Sequence, residues 1–250
     1  RKSALPLLGP IFLVCAFILP ANFSTAALVF AVAMTVLFMG GYPIKNLAII
    51  IGSGLVGLVL FVLLVLAFPN ISNRVETWKS RIENFSEGNA EENYQVTKAK
   101  MAIAEGMVVG KGPGKSIQKN FLPQSSSDFI FAIIVEEYGL AGGLFLLMLY
   151  LWLLFRIVIV SQKADTIFGK LLVIGVGLPI VFQALINMAV AVELFPVTGQ
   201  TLPLISSGGT SIWMTCLAIG IILSVSAKRE EIKMQEDYED NPLEILSETI

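Results

Sequence analysis

The sequence predicts an all-α polytopic membrane protein with six transmembrane helices and one large outer loop. Three observations lead there. Of 250 residues, 55% are hydrophobic and 14% charged, with a mean hydropathy of +0.78; a soluble domain has roughly 45–50% and about 25%. Six apolar runs approach the roughly 20 residues that a crossing helix needs. Outside the long loop, which carries eight of the 17 and to which the positive-inside rule applies poorly, lysine and arginine lie on one side of those runs. The same composition excludes disorder, collagen and disulfide scaffolds. A net charge of −2 gives no bias toward nucleic acid. The absence of histidine removes Ser-His-Asp and Cys-His nucleophiles, histidine zinc sites and histidine-ligated haem. Cys15 and Cys216 both sit in apolar runs and form no disulfide framework.

The runs follow in order. Ala4–Pro20 is short and carries Pro6, Pro10 and Pro20. Thr25–Met39 is also short and stops at Gly40-Gly41. Leu47–Phe68 is an uninterrupted span. Phe129–Val160 is over-long and has carboxylates in its first third. Leu171–Val192 carries Gln183 and Asn187, and Ile212–Ala227 closes the set. Arg1-Lys2 before an apolar run resembles a signal peptide, but no small-residue cleavage site leads into a soluble domain. Six spans put both termini on one side. Arg1, Lys2, Lys45, Arg156, Lys163, Lys170, Lys228, Arg229 and Lys233 mark that side as cytoplasmic; the short connections Pro20–Ser24 and Glu193–Ser211 have no Lys or Arg. The domains are thus spans over residues 1–68, an extracytoplasmic loop over 69–128, spans over 129–227 with an irregular outer loop at 193–211, and an acidic tail over 228–250. The tail is expected to be cytoplasmic and without regular structure.

A loop of this length is usually functional or disordered. Arg74–Glu83 reads as a short amphipathic helix and Ser86–Asn93 as a polar turn. Tyr94–Glu105 has Val96, Ala99, Ala102 and Ile103 at helical spacing. Gly110-Lys111-Gly112-Pro113-Gly114-Lys115 lacks phosphate-loop spacing, yet glycines let backbone N–H groups approach an anion. Lys115 and Lys119 would share a face if the piece were helical. The segment is either a solvated loop or a contact for phosphate, pyrophosphate or lipid headgroup. Asp128 is the last polar residue before a span. It is either a helix cap, a task Ser125–Ser127 can equally perform, or a functional carboxylate. Glu136 lies about 80° round from it on a helical wheel. Within a span it is functional by default; if the span begins near Tyr138, it is interfacial. Gln183 and Asn187 share a face and either glue helices together or contact a ligand. The Pro-, Gly- and Ser-rich outer loop, with Gln200, Ser206 and Ser207, is either a cavity wall or a surface loop.

These segments together carry a resemblance. Leu122-Pro123, Ser127-Asp128-Phe129-Ile130-Phe131-Ala132 and Glu136-Glu137-Tyr138-Gly139 resemble the "LPE…TDFIFA…EE.G" signature of the SEDS family (shape, elongation, division and sporulation). Phe182–Asn187 and Gly199–Ser211 resemble its "FQALVN" and "G…LPL.S.GG.S" segments. Gly110-Lys111-Gly112 with Ser116–Lys119 is closer to the division member than to the elongation member. The resemblance implies a ten-span peptidoglycan glycosyltransferase of the bacterial inner membrane, of which this chain holds spans five to ten. It implies septal polymerisation of lipid II, an undecaprenyl-pyrophosphate-linked disaccharide peptide. It also implies a class B penicillin-binding protein and other division-machinery membrane proteins as partners in the bilayer.

The family's proposed catalytic aspartate falls on Asp128. As general base it would deprotonate the acceptor hydroxyl during inverting displacement of the pyrophosphate. Lys111, Lys115, Lys119 or a divalent cation, Mg or Mn, held on Asp128 would offset the leaving charge. No organic cofactor is expected. Glu136, Gln183, Asn187, Gln200, Ser206 and Ser207 are the remaining substrate-contact candidates. Four departures stand out: Asn22–Thr25 replaces "DLGT", Gln124 replaces the glutamate of "LPE", Ser207 the tyrosine of "SYGG", and Glu193 a common glycine. A lipid-linked-sugar flippase and a non-catalytic scaffold are the rival readings.

Overall fold

The computed structural model describes residues 4–67 and 90–240. Among these the chain is entirely helical, without strands. The helices are α1 (Ala4–Ile18), α2 (Phe23–Met39), α3 (Ile44–Ala67), α4 (Ala90–Gly106), α5 (Ile130–Lys163), α6 (Ile167–Ala191) and α7 (Gly209–Asp240), with a short 3-10 turn at Gln118–Asn120. Three helical stretches are long and apolar enough to cross a membrane: Ile130–Lys163, Ile167–Ala191 and Gly209–Lys228. Pro6–Ile18, Phe23–Met39 and Ile44–Leu60 are shorter apolar stretches. The protein is an all-α polytopic membrane protein. Arg74–Glu83, expected as an interfacial helix, lies outside the described residues, as do residues 241–250 of the tail. The described part of the tail corrects the expectation of irregular chain, because α7 continues to Asp240.

Local signals set the helix ends. Asn22 caps α2, its side chain accepting the Thr25 N–H at 3.2 Å. Asparagine and aspartate cap equally well, so the carboxylate missing from the family pattern costs this helix little. Thr166 caps α6 by accepting from Gly169 N–H at 3.0 Å.

α6 is the central helix. Val173, Ile174, Leu178 and Val181 pack with Val32 of α2, Ile157 of α5 and Ile222 of α7. Nearer its C-terminus, Ala184, Met188 and Ala191 pack with Phe131, Val135, Leu146 and Tyr150 of α5 and with Leu202 of the outer loop. α1 and α3 flank α2, with Met34, Leu37, Leu47 and Ile50 forming a separate cluster. α4 lies on the start of α5: Ala99 and Ala102, expected on one helical face, are both fully buried against Leu122, Phe129, Ala132 and Ile133. The start of α5, the end of α6, the outer loop and Thr25 of α2 meet at one end of the bundle.

The long fourth apolar run is not a continuous helix. Gly139 has φ 72° and ψ −176°, which breaks α5 between an outer segment to Tyr138 and a longer segment from Leu140. The loop after α4 fills the break. Lys111 and Gly112 N–H donate to the freed carbonyls of Glu136 and Glu137 at 3.0 and 2.9 Å, and Leu140 and Ala141 N–H donate to Met107 and Val108 carbonyls at 2.9 and 3.2 Å. A break at membrane depth survives only when its backbone is satisfied in this way. The approach is so close that a Cβ at Gly139 would collide with the Val108 carbonyl, and one at Gly110 with that of Glu137.

Candidate functional site

Asp128 sits half-buried at the entry to α5, in the turn that follows Leu122. Three residues hold that turn. Asn187 of α6, 1% exposed, donates from Nδ2 to the Asp128 carbonyl and to the Gln200 carbonyl, both at 2.7 Å. Ser206 Oγ donates to the Ser127 carbonyl at 2.6 Å and itself accepts Leu202 N–H at 2.7 Å. Ser207 donates to the Ser126 carbonyl from both N–H (2.8 Å) and Oγ (2.9 Å). The backbone donor is available to any residue, so serine in place of the family's tyrosine preserves that tie. Gly199 lies against the carboxylate: a Cβ there would stand 3.7 Å from Asp128 Oδ2. The outer loop is therefore a fixed wall beside Asp128.

Gln183 donates from Nε2 to the Thr201 carbonyl at 3.0 Å. Gln183 and Asn187 thus both bind the backbone of the outer loop, which favours the structural over the ligand reading of this face. Gln200 Nε2 in turn donates to Thr25 Oγ1 at 2.7 Å, bringing α2 to the site. Thr25 was not among the candidate site residues; its signal was its place as the last residue of the segment that stands for "DLGT".

The basic and acidic candidates divide. Glu136, 0% exposed, is enclosed by its own chain. It accepts from Lys111 Nζ at 2.9 Å, from Ile117 N–H at 3.0 Å, from Gln118 N–H at 3.3 Å and from Ser116 Oγ. Lys111 also pairs with Glu105. Lys111 and Glu136, expected as substrate contacts, both take part in an internal network that ties the glycine-rich loop to α5, which favours a structural role for them. The hydrogen bonds it donates to Glu105 and Glu136 hold the Lys111 ammonium above the ordinary lysine range. The ammonium is thus charged at neutral pH, and its contribution is lost as pH rises past that range. Glu105 was missed because its partners lie in a loop that sequence periodicity does not place.

Lys115 and Lys119 are exposed. They do not share a helix face, because Pro113 and Gly114 keep the segment out of helix and only the 3-10 turn at Gln118–Asn120 forms. Lys119 still borders the site, since its carbonyl accepts from Ser125 Oγ at 3.1 Å. Lys98, above the rings of Tyr94 and Phe121 at 5.5 and 5.4 Å, is a second cation on this face. Among the described residues, no group of three or more Asp, Glu or Cys gathers to hold a metal.

The comparisons with known proteins agree with this layout. A family model described as a cell cycle protein, covering FtsW, RodA and SpoVE, matches residues 1–231. The chain belongs to the FtsW/RodA/SpoVE family. A probable peptidoglycan glycosyltransferase FtsW of Thioalkalivibrio sulfidiphilus is 33% identical over 90% of this chain and 53% of its own length. A similarly named protein of Xanthomonas oryzae is 36% identical over 88% and 46%. Stage V sporulation protein E of Bacillus subtilis is 33% identical over 90% and 60%. The chain thus spans about half the length of the curated relatives it matches. A solved structure, described as "Structural coordination of polymerization and crosslinking by a peptidoglycan synthase complex", aligns with a TM-score of 0.62 and 26% identity. That alignment covers 90% of this chain and 61% of the other.

Within this FtsW/RodA/SpoVE frame, Glu193 gains an explanation. It stands where glycine is common, and its φ is 62°. A left-handed residue favours glycine, and a longer side chain there is strained by about 1 kcal/mol. Glu193 also makes an exposed ion pair with Lys100, worth about 0–1 kcal/mol. The two nearly cancel. Glu193→Gly is expected to shift stability by less than about 1 kcal/mol, where loop glutamates elsewhere gain nothing from glycine. Thermal melting in detergent checks this.

Proposed function

We propose that the protein polymerises lipid II into glycan strands at the outer face of the bacterial inner membrane, at the division septum, with Asp128 as general base. The observation that carries this reading is the clamped turn that bears the Asp128 carboxylate. Asp128 is the carboxylate in the family's TDFIFA-like segment, and its backbone is clamped between α6 and the outer loop. The names of the FtsW relatives support the reaction class.

In this reading the acceptor sugar hydroxyl gives its proton to Asp128 as it attacks the donor's anomeric carbon, and the pyrophosphate leaves. A positioned base of this kind contributes about 10²–10⁴-fold. Lys115 or Lys119 would supply positive charge to the diphosphate. A single protein carboxylate with substrate phosphates is a donor set that suits Mg²⁺ or Mn²⁺. When bound, such a cation would neutralise charge on the leaving diphosphate. Asn187, Ser206 and Ser207 do not touch the substrate here; they hold the Asp128 turn and the wall beside it. A class B penicillin-binding protein is the proposed partner, supported by the description of the structural relative.

Asp128→Ala in the intact protein tests this. Loss of polymer with the partner still bound supports the glycosyltransferase. Normal polymer with lost lipid movement across the bilayer supports a flippase instead. Loss of partner binding alone supports a scaffold.

A further inference from the structure

The glycine-rich segment has an apolar tip that neither the site nor the core uses. Met107, Val108 and Val109 are 73%, 65% and 81% exposed. Three adjacent large apolar side chains facing outward are unusual for a loop in water. Their position is fixed, not incidental. The Met107 and Val108 carbonyls accept from Leu140 and Ala141, while Lys111 and Gly112 donate to Glu136 and Glu137. Gly106, Gly110 and Gly139 make room for this contact: a Cβ at Gly106 would stand 2.7 Å from the Val135 carbonyl carbon. Two ion-paired carboxylates, Glu105 and Glu136, then hold Lys111 just beyond the tip.

The surroundings identify the occupant. The tip is bonded to the start of the long apolar segment of α5, whose exposed side chains (Leu140, Leu144, Phe145 and Met148) are suited to lipid. From Leu140 to Lys163 that segment is about 36 Å long at 1.5 Å per residue. A hydrocarbon core is about 30 Å thick, so the segment is long enough to bring its Leu140 end to the outer boundary. The tip is therefore continuous with a surface suited to lipid and can reach the depth where acyl chains begin. Much of its backbone is hydrogen-bonded to α5, which lets irregular chain enter that layer. Lys115, exposed a few residues on, is suited to headgroup phosphates.

We propose that Met107–Val109 is a membrane-inserted wedge that sinks into the outer-leaflet acyl region. It fixes the height of α4, and hence of the turn bearing Asp128, above the bilayer. This is separate from the glycosyltransferase reading and stands or falls on its own.

The test is site-directed spin labelling of the intact protein in nanodiscs of phosphatidylethanolamine and phosphatidylglycerol. Single cysteines replace Met107, Val109 or Lys115 in a cysteine-free background. The labels at 107 and 109 are expected to favour oxygen over a water-soluble nickel chelate by several-fold, with the ratio at 115 reversed. Equal nickel access at 109 and 115, in protein that melts like the parent, overturns the proposal. So does shielding at 109 that appears only when the penicillin-binding partner is added, since the tip would then be a protein-docking surface.

Discussion

Gly139→Ala is expected to be the most destabilising single-methyl change in the described chain, costing about 3 kcal/mol or more. Two effects add. The backbone at φ 72° and ψ −176° lies in a region that only glycine occupies readily. The new Cβ would also meet the Val108 carbonyl and come within 2.6 Å of Gly110 N. Neither is the end of a flexible side chain, so relief requires moving the loop. That movement breaks the four bonds between loop and helix, from Leu140 and Ala141 N–H and from Lys111 and Gly112 N–H. Thermal melting in detergent reads the loss. Gly9→Ala, where a Cβ meets nothing within 4 Å, serves as the control and is expected to melt like the parent.

Asn187→Leu keeps the side-chain shape but removes both Nδ2 donors. The Asp128 and Gln200 carbonyls lose their amide partner, at about 1–3 kcal/mol each. The turn carrying Asp128 and the wall bearing Gly199 are then free to separate. Small misplacement of a reacting group costs as much as about 10²-fold in rate. Turnover of lipid II is expected to fall by about tenfold or more, with KM changed far less. If turnover stays within about twofold while the melting temperature drops, the clamp stabilises the fold without positioning the base.

Much of this architecture was legible in the sequence because membrane spans write themselves in composition. The apolar run Leu171–Val192 became α6, Ile167–Ala191. Even inside the long loop, Ala99 and Ala102 marked the buried face of α4. The break at Gly139 was not legible. Tyr138-Gly139-Leu140 sits inside an apolar run, and the segment that satisfies its backbone lies some thirty residues earlier. The same long-range contact hid the fate of Glu136. Its charge looked available for substrate, but the amides of Ile117 and Gln118 and the ammonium of Lys111 consume it. The lysine pair shares no helix face because the condition set for it is not met: between Lys115 and Lys119 only the start of the 3-10 turn at Gln118–Asn120 forms. Asp128 was legible through the motif around it. What holds it was legible only in part, since Asn187 was seen as polar within a span but its two carbonyl partners come from separate loops.

The central claim is that Asp128 accepts the acceptor's proton. Its most direct test is the rate of lipid II polymerisation by the intact protein with its penicillin-binding partner, comparing the parent with Asp128→Asn in the presence and absence of Mg²⁺ or Mn²⁺. The amide preserves the shape of the turn but cannot take the proton and binds a hard cation poorly. The account predicts a fall of about 10²–10⁴-fold, unrelieved by either metal, in a complex that still purifies intact. Glycan chains formed at the parental rate by Asp128→Asn would contradict it.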